Sequence, residues 1–138
     1  MTTKLSLSDI EYWQKQWPKD EARETAFEMI MTEDGDIETA FNELFKEKNG
    51  TIQYGNKSWW EVTLNVLRKE ICNKNDSWQS GIKTVRKNPK ETAIITGIIV
   101  SIIEKCQLPL DTGLATMIVL WILKVGIDIF CNYTEKAQ

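Results

Sequence analysis

The last third of the chain, from Thr92 to Cys131, is almost continuously apolar. A first apolar run covers residues 93–103 and stops at Glu104, and a second covers residues 114–123 and stops at Lys124. Because a helix needs about 20 apolar residues to cross a bilayer, each run has about half the necessary length. We therefore interpret the pair as two buried helices of a bundle and rank a membrane hairpin behind it.

The first 90 residues have the periodicity of amphipathic helices. Apolar residues recur at intervals of three and four, behind Ser and Asp residues of the kind that cap helices. This pattern predicts five helices, with capping boxes at Ser8–Glu11 and Ser58–Glu61, caps at Asp20 and Asp36, and a loop at 51–57. The predicted inward faces are Ile10, Trp13 and Trp17; Ala22, Ala26, Met29 and Ile30; Ile37, Ala40, Phe41, Leu44 and Phe45; Trp60, Leu64, Leu67 and Ile71; and Trp78, Ile82 and Val85.

Punctuating residues predict where these helices stop and where two more begin. Pro18, Asp34-Gly35 and Asn49-Gly50 are predicted stops, with Gly35 suited to the left-handed position after a helix. The start of a sixth helix is predicted from a cap, a proline and a glutamate, and a seventh helix is expected to extend to about Asn132. The residues that start them are Asn88, Pro89 and Glu91 for the sixth and Asp111 for the seventh.

One segment has two readings. Residues 94–103 are rich in Ile and Val, which favour strands, but the preceding cap, the length and the lack of a partner strand favour a helix. Gly97 and Ser101, four residues apart, are expected to let another helix approach closely.

The predicted fold class is all-α, a bundle of about seven helices in one domain. The size of the chain, 138 residues, suits one domain with one core. Within it we expect amphipathic helices at 1–90, a buried helical pair at 91–132 that forms the core, and a flexible tail at 133–138.

Composition bears on the role of the tryptophans and on the cellular compartment. Six tryptophans are expected to anchor the core, or alternatively to form an exposed hot spot for a partner. Three widely spaced cysteines, Cys72, Cys106 and Cys131, suit a reducing compartment in which thiols act as small apolar fillers. The start of the chain has no apolar leader, so we expect a cytoplasmic protein.

The sequence offers little catalytic chemistry. It has no histidine, no C-x-x-C pair and no glycine-rich phosphate loop, and the acidic cluster at 33–36 fails the calcium-loop spacing. Three carboxylates border apolar sequence: Glu104, Asp111 and Asp128. We interpret them as solvent-exposed charges at helix ends rather than as catalytic groups. We therefore predict no enzyme, no metal site and no cofactor.

Charge is segregated along the chain. Residues 1–50 hold 6 Lys/Arg and 12 Asp/Glu, whereas residues 51–90 hold 8 and 3. We predict docking on a protein partner, or on further copies of the chain, through opposite helix faces. Nucleic-acid binding by the basic block is the first alternative, and a membrane-active effector that uses helices six and seven is ranked below it. The expected face residues are Glu24, Glu28, Glu38 and Glu43 on the acidic side and Lys69, Arg86, Lys87 and Lys90 on the basic side.

Two family resemblances bear on this hypothesis. The stretch from Ala26 to Leu44, with a G-D-x-E-x-A pattern that starts at Gly35, resembles the last two helices of ubiquitin-associated domains. The M-G-F/Y loop of that family is absent, so ubiquitin binding does not carry over.

The second resemblance covers more of the chain. An E-Y-W-Q-K segment at 11–15, a G-D-I-E turn at 35–38 and the segment from Ile122 to Cys131 resemble small uncharacterised cyanobacterial helical proteins. Those proteins look similar to the Death-like and effector-associated adaptor modules of bacterial conflict and signalling systems. The resemblance implies homotypic docking rather than catalysis, and it transfers no site residue.

Overall fold

A computed structural model describes residues 4–17, 19–50, 58–74, 76–106, 108–126 and 129–131. Side chains are described for all of these except residues 70, 71, 73, 74, 76–79, 92, 105 and 106. The described chain is all-α, which confirms the predicted fold class, and a further helical turn at 129–131 follows the last long helix. The seven helices are α1 (Leu7–Gln16), α2 (Glu21–Thr32), α3 (Ile37–Asn49), α4 (Trp59–Lys74), α5 (Asp76–Lys87), α6 (Thr92–Cys106) and α7 (Thr112–Val125).

Helix α7 lies at the centre of the bundle. Every residue from Gly113 to Leu123 is buried, and α2, α3, α5 and α6 all pack against this helix. A helix that is apolar on all sides needs neighbours on all sides, so its sequence explains its position. Helix α6 contributes one buried face to the core and exposes the other, which includes Gly97 and Val100.

A continuous series of aromatic contacts links α3, α4, α7 and the turn at 129–131. Trp60 of α4 meets Trp121 of α7 edge to face, with ring centroids 5.6 Å apart. Trp121 in turn meets Phe130 at 5.6 Å, and Trp60 meets Phe41 at 5.4 Å. Such pairs add to the burial energy of each ring. The expectation of tryptophans as core anchors is confirmed for four of them, Trp13, Trp17, Trp60 and Trp121.

Many predicted helix ends are confirmed. The carboxylates of Asp20, Asp36 and Asp111 accept backbone N–H groups three residues ahead, at 3.0, 3.2 and 2.9 Å. Gly35 has a φ of +86° and donates to the carbonyl of Ile30 at 2.8 Å. All five residues predicted to face inward from α3 are buried.

The start of α1 differs from its prediction. The capping box is Ser6 with Asp9, not Ser8 with Glu11. The Asp9 backbone donates to Ser6 Oγ and the Ser6 backbone donates to Asp9 Oδ2, each at 3.1 Å. Aspartate is short, but it completes the box because it lies at the third helical position. The helix therefore begins earlier along the chain.

The predicted start of α6 is wrong by three residues. The Asn88 backbone N–H donates to the carbonyl of Thr84 at 2.8 Å, so Asn88 completes the last turn of α5. Pro89 has no N–H and cannot continue that helix. A turn closed by the Glu91 N–H on the Asn88 carbonyl, at 3.1 Å, follows before α6 begins at Thr92.

The predicted end of α7 at Asn132 is also wrong. The helix ends at Val125, because Gly126 adopts a φ of +89° while its N–H still donates to the carbonyl of Ile122 at 2.7 Å. A left-handed residue reverses the chain direction at a helix end. The turn at 129–131 then places Phe130 against Trp121.

Two cysteines expected to be free thiols are joined in a disulfide. Cys72 of α4 and Cys131 of the terminal turn are bonded, with Cα atoms 5.7 Å apart, which is an ordinary spacing for a disulfide. The end of α7 at Gly126 allows this pairing, since the chain after it returns to α4. The side chain of Cys106 lies outside the description.

The inward face of α2 is shifted from its prediction. Ala26 and Ile30 are buried as expected, but Ala22 and Met29 are only half-buried. Phe27 and Arg23 are fully buried in their place. Arg23 lies 3.5 Å from Asp20 and donates to Thr96 of α6 at 3.3 Å. A paired arginine thus replaces an apolar residue on this face.

The close helix approach expected at Gly97 and Ser101 is absent. A Cβ at Gly97 would meet no heavy atom within 4 Å. The close contact occurs instead at Gly113 of α7, where a Cβ would lie 3.2 Å from the carbonyl oxygen of Ala22. The predictions for the loop at 51–57, the tail at 133–138 and the side chains of Ile71 and Trp78 fall outside the described residues. No helix in the described part of the chain is long and apolar enough to span a membrane.

Candidate docking site

Two open cavities meet at Tyr12, and together they form what we call the Tyr12 groove. The first, of about 370 Å³, lies between α1, α5 and α7, and the second, of about 280 Å³, lies between α1 and the turn that precedes α6. The first is lined by Asp9, Tyr12, Trp13, Arg86, Leu123 and Lys124, and the second by Tyr12, Gln16, Asn88, Pro89, Lys90 and Glu91.

Helix α1 supplies one wall because of its helical spacing. Intervals of three or four residues separate its groove-lining side chains, which places them on one side of the helix. These residues are Asp9, Tyr12, Trp13 and Gln16. Trp13 is buried and anchors α1 to the core. Tyr12 is 46% exposed, and its ring meets the edge of Trp13 at 5.0 Å. The buried ring therefore supports an aromatic surface that faces solvent.

Arg86 supplies the main positive charge of the groove. It lies in the last turn of α5, which the buried side chains of Ile82 and Val85 attach to the core. Its guanidinium Nη1 is 2.5 Å from the position that a Cβ on Gly126 would take, so the planar group rests against the end of α7. Arg86 is exposed, and no described carboxylate lies within 4.0 Å of it. Among the described residues, then, no contacting carboxylate neutralises its charge.

The second cation of the first cavity is already engaged. Lys124 Nζ donates to Asp9 Oδ2 at 2.8 Å, across 115 residues of sequence. This hydrogen bond is the main cause of the lowered pKa of Asp9, with further contributions from its bonds to Ser6. The pair ties the start of α1 to the end of α7 and so fixes the side of the groove.

The predicted basic residues do not all meet in one place. Arg86 and Lys90 line the two adjoining cavities of the groove. Lys87 is exposed at the end of α5, and Lys69 is exposed on α4, but neither lines these cavities. The structure thus divides the basic set into a groove pair and two residues outside it.

On the acidic side, Glu38 belongs to a small cluster of carboxylates. It is half-buried on α3, and its pKa is raised first by that burial and then by repulsion from Glu61 of α4 and from Asp36. We call Asp36, Glu38 and Glu61 the acidic cluster. Neither Glu38 nor Glu61 has a described Lys or Arg within 4.0 Å. Among the described residues, then, no contacting cation neutralises this pair.

The other predicted acidic residues lie elsewhere. Glu24 is half-buried and accepts a hydrogen bond from Gln14 of α1 at 3.4 Å. Glu28 and Glu43 are exposed on α2 and α3. Glu43 is five residues after Glu38, so the two lie about 140° apart around α3 and point in different directions. The structure brings Glu38 together with Glu61, not with Glu43.

Sequence reasoning missed the residues that complete both sites. Tyr12 was missed because the pattern assigned this stretch to the core through its neighbour, Trp13. Lys124 follows an apolar run and Asp9 begins a distant helix, so their pairing depends on the tertiary fold. Glu61 was interpreted only as part of a capping box. An unpaired aromatic between Glu11 and Trp13, off the predicted stripe, was the one available signal for Tyr12.

The chemistry of the groove suits recognition of carboxylates. A guanidinium binds a carboxylate through two parallel hydrogen bonds, and an adjacent tyrosine ring offers contact area at low entropic cost. Within the described residues, no three or more Cys, Asp or Glu side chains converge in a way that could hold a metal ion.

Comparisons with known proteins supply no relative from which a role could be transferred. No protein-family model, no curated protein sequence and no solved structure matches this chain. The resemblance to adaptor modules stays a prediction.

Proposed function

We propose that the protein is a non-catalytic, cytoplasmic interaction domain that associates head to tail with further copies of itself. In this proposal the Tyr12 groove of one copy binds the acidic cluster of the next. One observation carries it: among the described residues no carboxylate lies within 4.0 Å of Arg86, whereas the pKa of Glu38 is raised by burial and then by the like charges of Glu61 and Asp36. Among the described residues, each group thus lacks the contacting counter-charge that the other provides.

The groove and the acidic cluster have complementary charge. Approach of Arg86 to Glu38 and Glu61 offsets the repulsion between the two carboxylates and neutralises the guanidinium. Charge complementarity of this kind mainly raises the association rate and selects the partner, and it weakens as salt screens the charges. The exposed ring of Tyr12 adds apolar contact beside the ion pairs.

The arrangement has a consequence for assembly. The groove involves α1, α5 and α7, whereas the acidic cluster lies on α3 and α4, so two different surfaces meet. Such heterologous contacts build rings when the rotation closes and open chains when it does not. We therefore expect oligomers larger than dimers at high protein concentration.

Nucleic acid fits the groove less well than a protein does. Glu91 lines the second cavity, and Asp9, which lines the first, is paired with Lys124, so neither cavity is uniformly positive. The charge of Lys124 is already neutralised by Asp9 at 2.8 Å. Phosphate binding thus depends on Arg86 and Lys90 alone, which is a small footprint for a backbone-binding surface.

Sedimentation velocity at low and high ionic strength tests the proposal. At about 0.01 M salt, where the Debye length is about 30 Å, the sedimentation coefficient is expected to rise with protein concentration. The rise should disappear at about 1 M salt and in Arg86→Glu. Lys83→Glu is the matched control, because Lys83 is exposed on the same helix but lines neither cavity.

A monomer at every concentration in low salt contradicts self-association. Equal loss of association in both variants also contradicts it, because a general change of net charge then explains the effect. If the protein stays monomeric but binds a mixed oligonucleotide, with a loss in Arg86→Glu, the basic surface serves nucleic acid instead.

A further inference from the structure

We infer that the disulfide between Cys72 and Cys131 is a reversible redox control on the Tyr12 groove, one that holds Arg86 in place when formed and releases it when reduced. This inference rests on the proposed function for its biological consequence. Its structural part, the release of the terminal turn, has a test of its own.

Neither cysteine of the bond is fully buried. Both sulfur-bearing residues are half-buried, neither being enclosed in the core. Accessible disulfides are the ones that reductants open most readily, whereas enclosed ones are structural. The disulfides that do form in reducing compartments are mostly transient or regulatory.

The bond also controls a specific piece of the chain. It attaches the turn at 129–131 to α4, and within that turn Phe130 is completely buried against Trp121. The backbone N–H of Phe130 donates to the carbonyl of Gly126 at 3.0 Å. The disulfide is thus a covalent tie between this short segment and α4, in addition to the ring contact and the backbone hydrogen bond of Phe130.

The same segment borders the groove through Gly126. The Arg86 guanidinium rests against this residue, 2.5 Å from the Cβ position. Because Phe130 is hydrogen-bonded to Gly126, loosening of the turn also loosens the surface that supports Arg86. Without that support the Arg86 side chain is less ordered before binding, so it loses more conformational entropy when it binds a carboxylate. Its affinity for the carboxylate therefore falls.

The redox step balances with ordinary cellular reagents. For reduction, a dithiol reductant transfers two electrons and two protons to the bond, which yields two thiols and the disulfide of the reductant. For oxidation, one thiolate attacks hydrogen peroxide and, with a proton from water, gives a sulfenic acid and one water. The second thiol then attacks the sulfenic sulfur and releases another water as the disulfide forms.

Hydrogen exchange at the Phe130 amide is the direct test. Exchange should be at least about tenfold faster after reduction with dithiothreitol than in the oxidised protein, and equally fast in Cys72→Ser under both conditions. Cys106→Ser is the matched control and should retain the full difference between the two conditions. Equal protection of this amide in oxidised and reduced wild-type protein overturns the inference.

Sedimentation of the same samples tests the link to the groove. We expect association to weaken by about fivefold or more on reduction, at the lower end of typical allosteric coupling. Association that is present but unchanged by reduction, while exchange at Phe130 rises, overturns control of the groove. Absence of association in both redox states contradicts the proposed function instead, and the exchange result then decides the structural part alone.

Discussion

The guanidinium of Arg86 lies against the backbone of Gly126, with Nη1 2.5 Å from the place where a Cβ would be. The contact joins the last turn of α5 to the end of α7, and it exists because residue 126 has no side chain. The same glycine ends α7 with a φ of +89°. One residue therefore both turns the chain toward the disulfide and leaves room for the proposed docking arginine.

Replacement of this glycine should affect stability and docking together. Gly126→Ala forces a side chain into a left-handed conformation, at a cost of about 1–2 kcal/mol in the free energy of unfolding, and displaces the Arg86 guanidinium. We expect a lower midpoint in urea denaturation and weaker self-association in sedimentation.

Gly97→Ala is the matched control for that experiment. Gly97 lies inside α6, and a Cβ there would meet nothing within 4 Å. The change should raise the free energy of unfolding by about 0.5–1 kcal/mol and leave association unaltered. If both alanine variants lose the same stability, the account of Gly126 is wrong.

Glu38 should destabilise the fold at neutral pH. Its pKa is raised above the ordinary value of 4.5, so the folded state holds the proton more tightly than the unfolded state does. The penalty is absent below the unfolded pKa and develops as the pH rises through the folded pKa. Glu38→Gln should therefore raise the melting temperature at pH 7, by an amount equivalent to about 0.3 kcal/mol, and give no gain near pH 3.

Glu43→Gln provides the comparison for this pH effect. Glu43 is exposed on the same helix, and the same removal of charge there should leave the melting temperature nearly unchanged. A gain of equal size at both positions would assign the effect to net charge rather than to the acidic cluster.

Asp9 should stabilise the fold at neutral pH, in contrast to Glu38. Its pKa is lowered below 3.8, chiefly by the hydrogen bond from Lys124, so its contribution is present at neutral pH. That contribution is lost as the pH falls through the folded pKa. Asp9→Asn should lower the free energy of unfolding at pH 7 by about 0.5–1 kcal/mol, through the helix start and the ion pair. The difference from wild type should shrink in thermal melts at about pH 2, whereas Glu11→Gln, at an exposed position of α1, should behave like wild type throughout.

Periodicity and capping predicted the elements of this fold because both act within one turn of helix. The five apolar positions of α3 and the aspartate caps at Asp20, Asp36 and Asp111 depend only on neighbouring residues. The early end of α7 was harder to predict, since Gly126 sits within sequence that continues to look helical. Without that end, the pairing of Cys72 with Cys131 has no visible basis in the sequence.

The candidate site was only partly predictable for a related reason. Segregated charge identified Arg86 and Lys90, both of which line the groove. It could not identify Asp9 and Lys124, whose contact spans 115 residues. Nor could it separate Glu38 from Glu43, because that distinction depends on which face of α3 meets α4.

A mixing experiment with two disabled variants tests head-to-tail docking most directly. Arg86→Glu removes the cation of the groove and keeps the acidic cluster, while Glu38→Lys with Glu61→Lys does the reverse. We predict that each is monomeric alone in sedimentation at low salt and that an equimolar mixture forms a one-to-one dimer that grows no further. As a control, Arg86→Glu is mixed instead with Glu104→Lys, a change at an exposed position on α6. The Glu104→Lys protein keeps both its groove and its acidic cluster, so its oligomers should again grow with concentration. A mixture of the two disabled variants that remains entirely monomeric, while wild-type protein associates under the same conditions, would contradict the account.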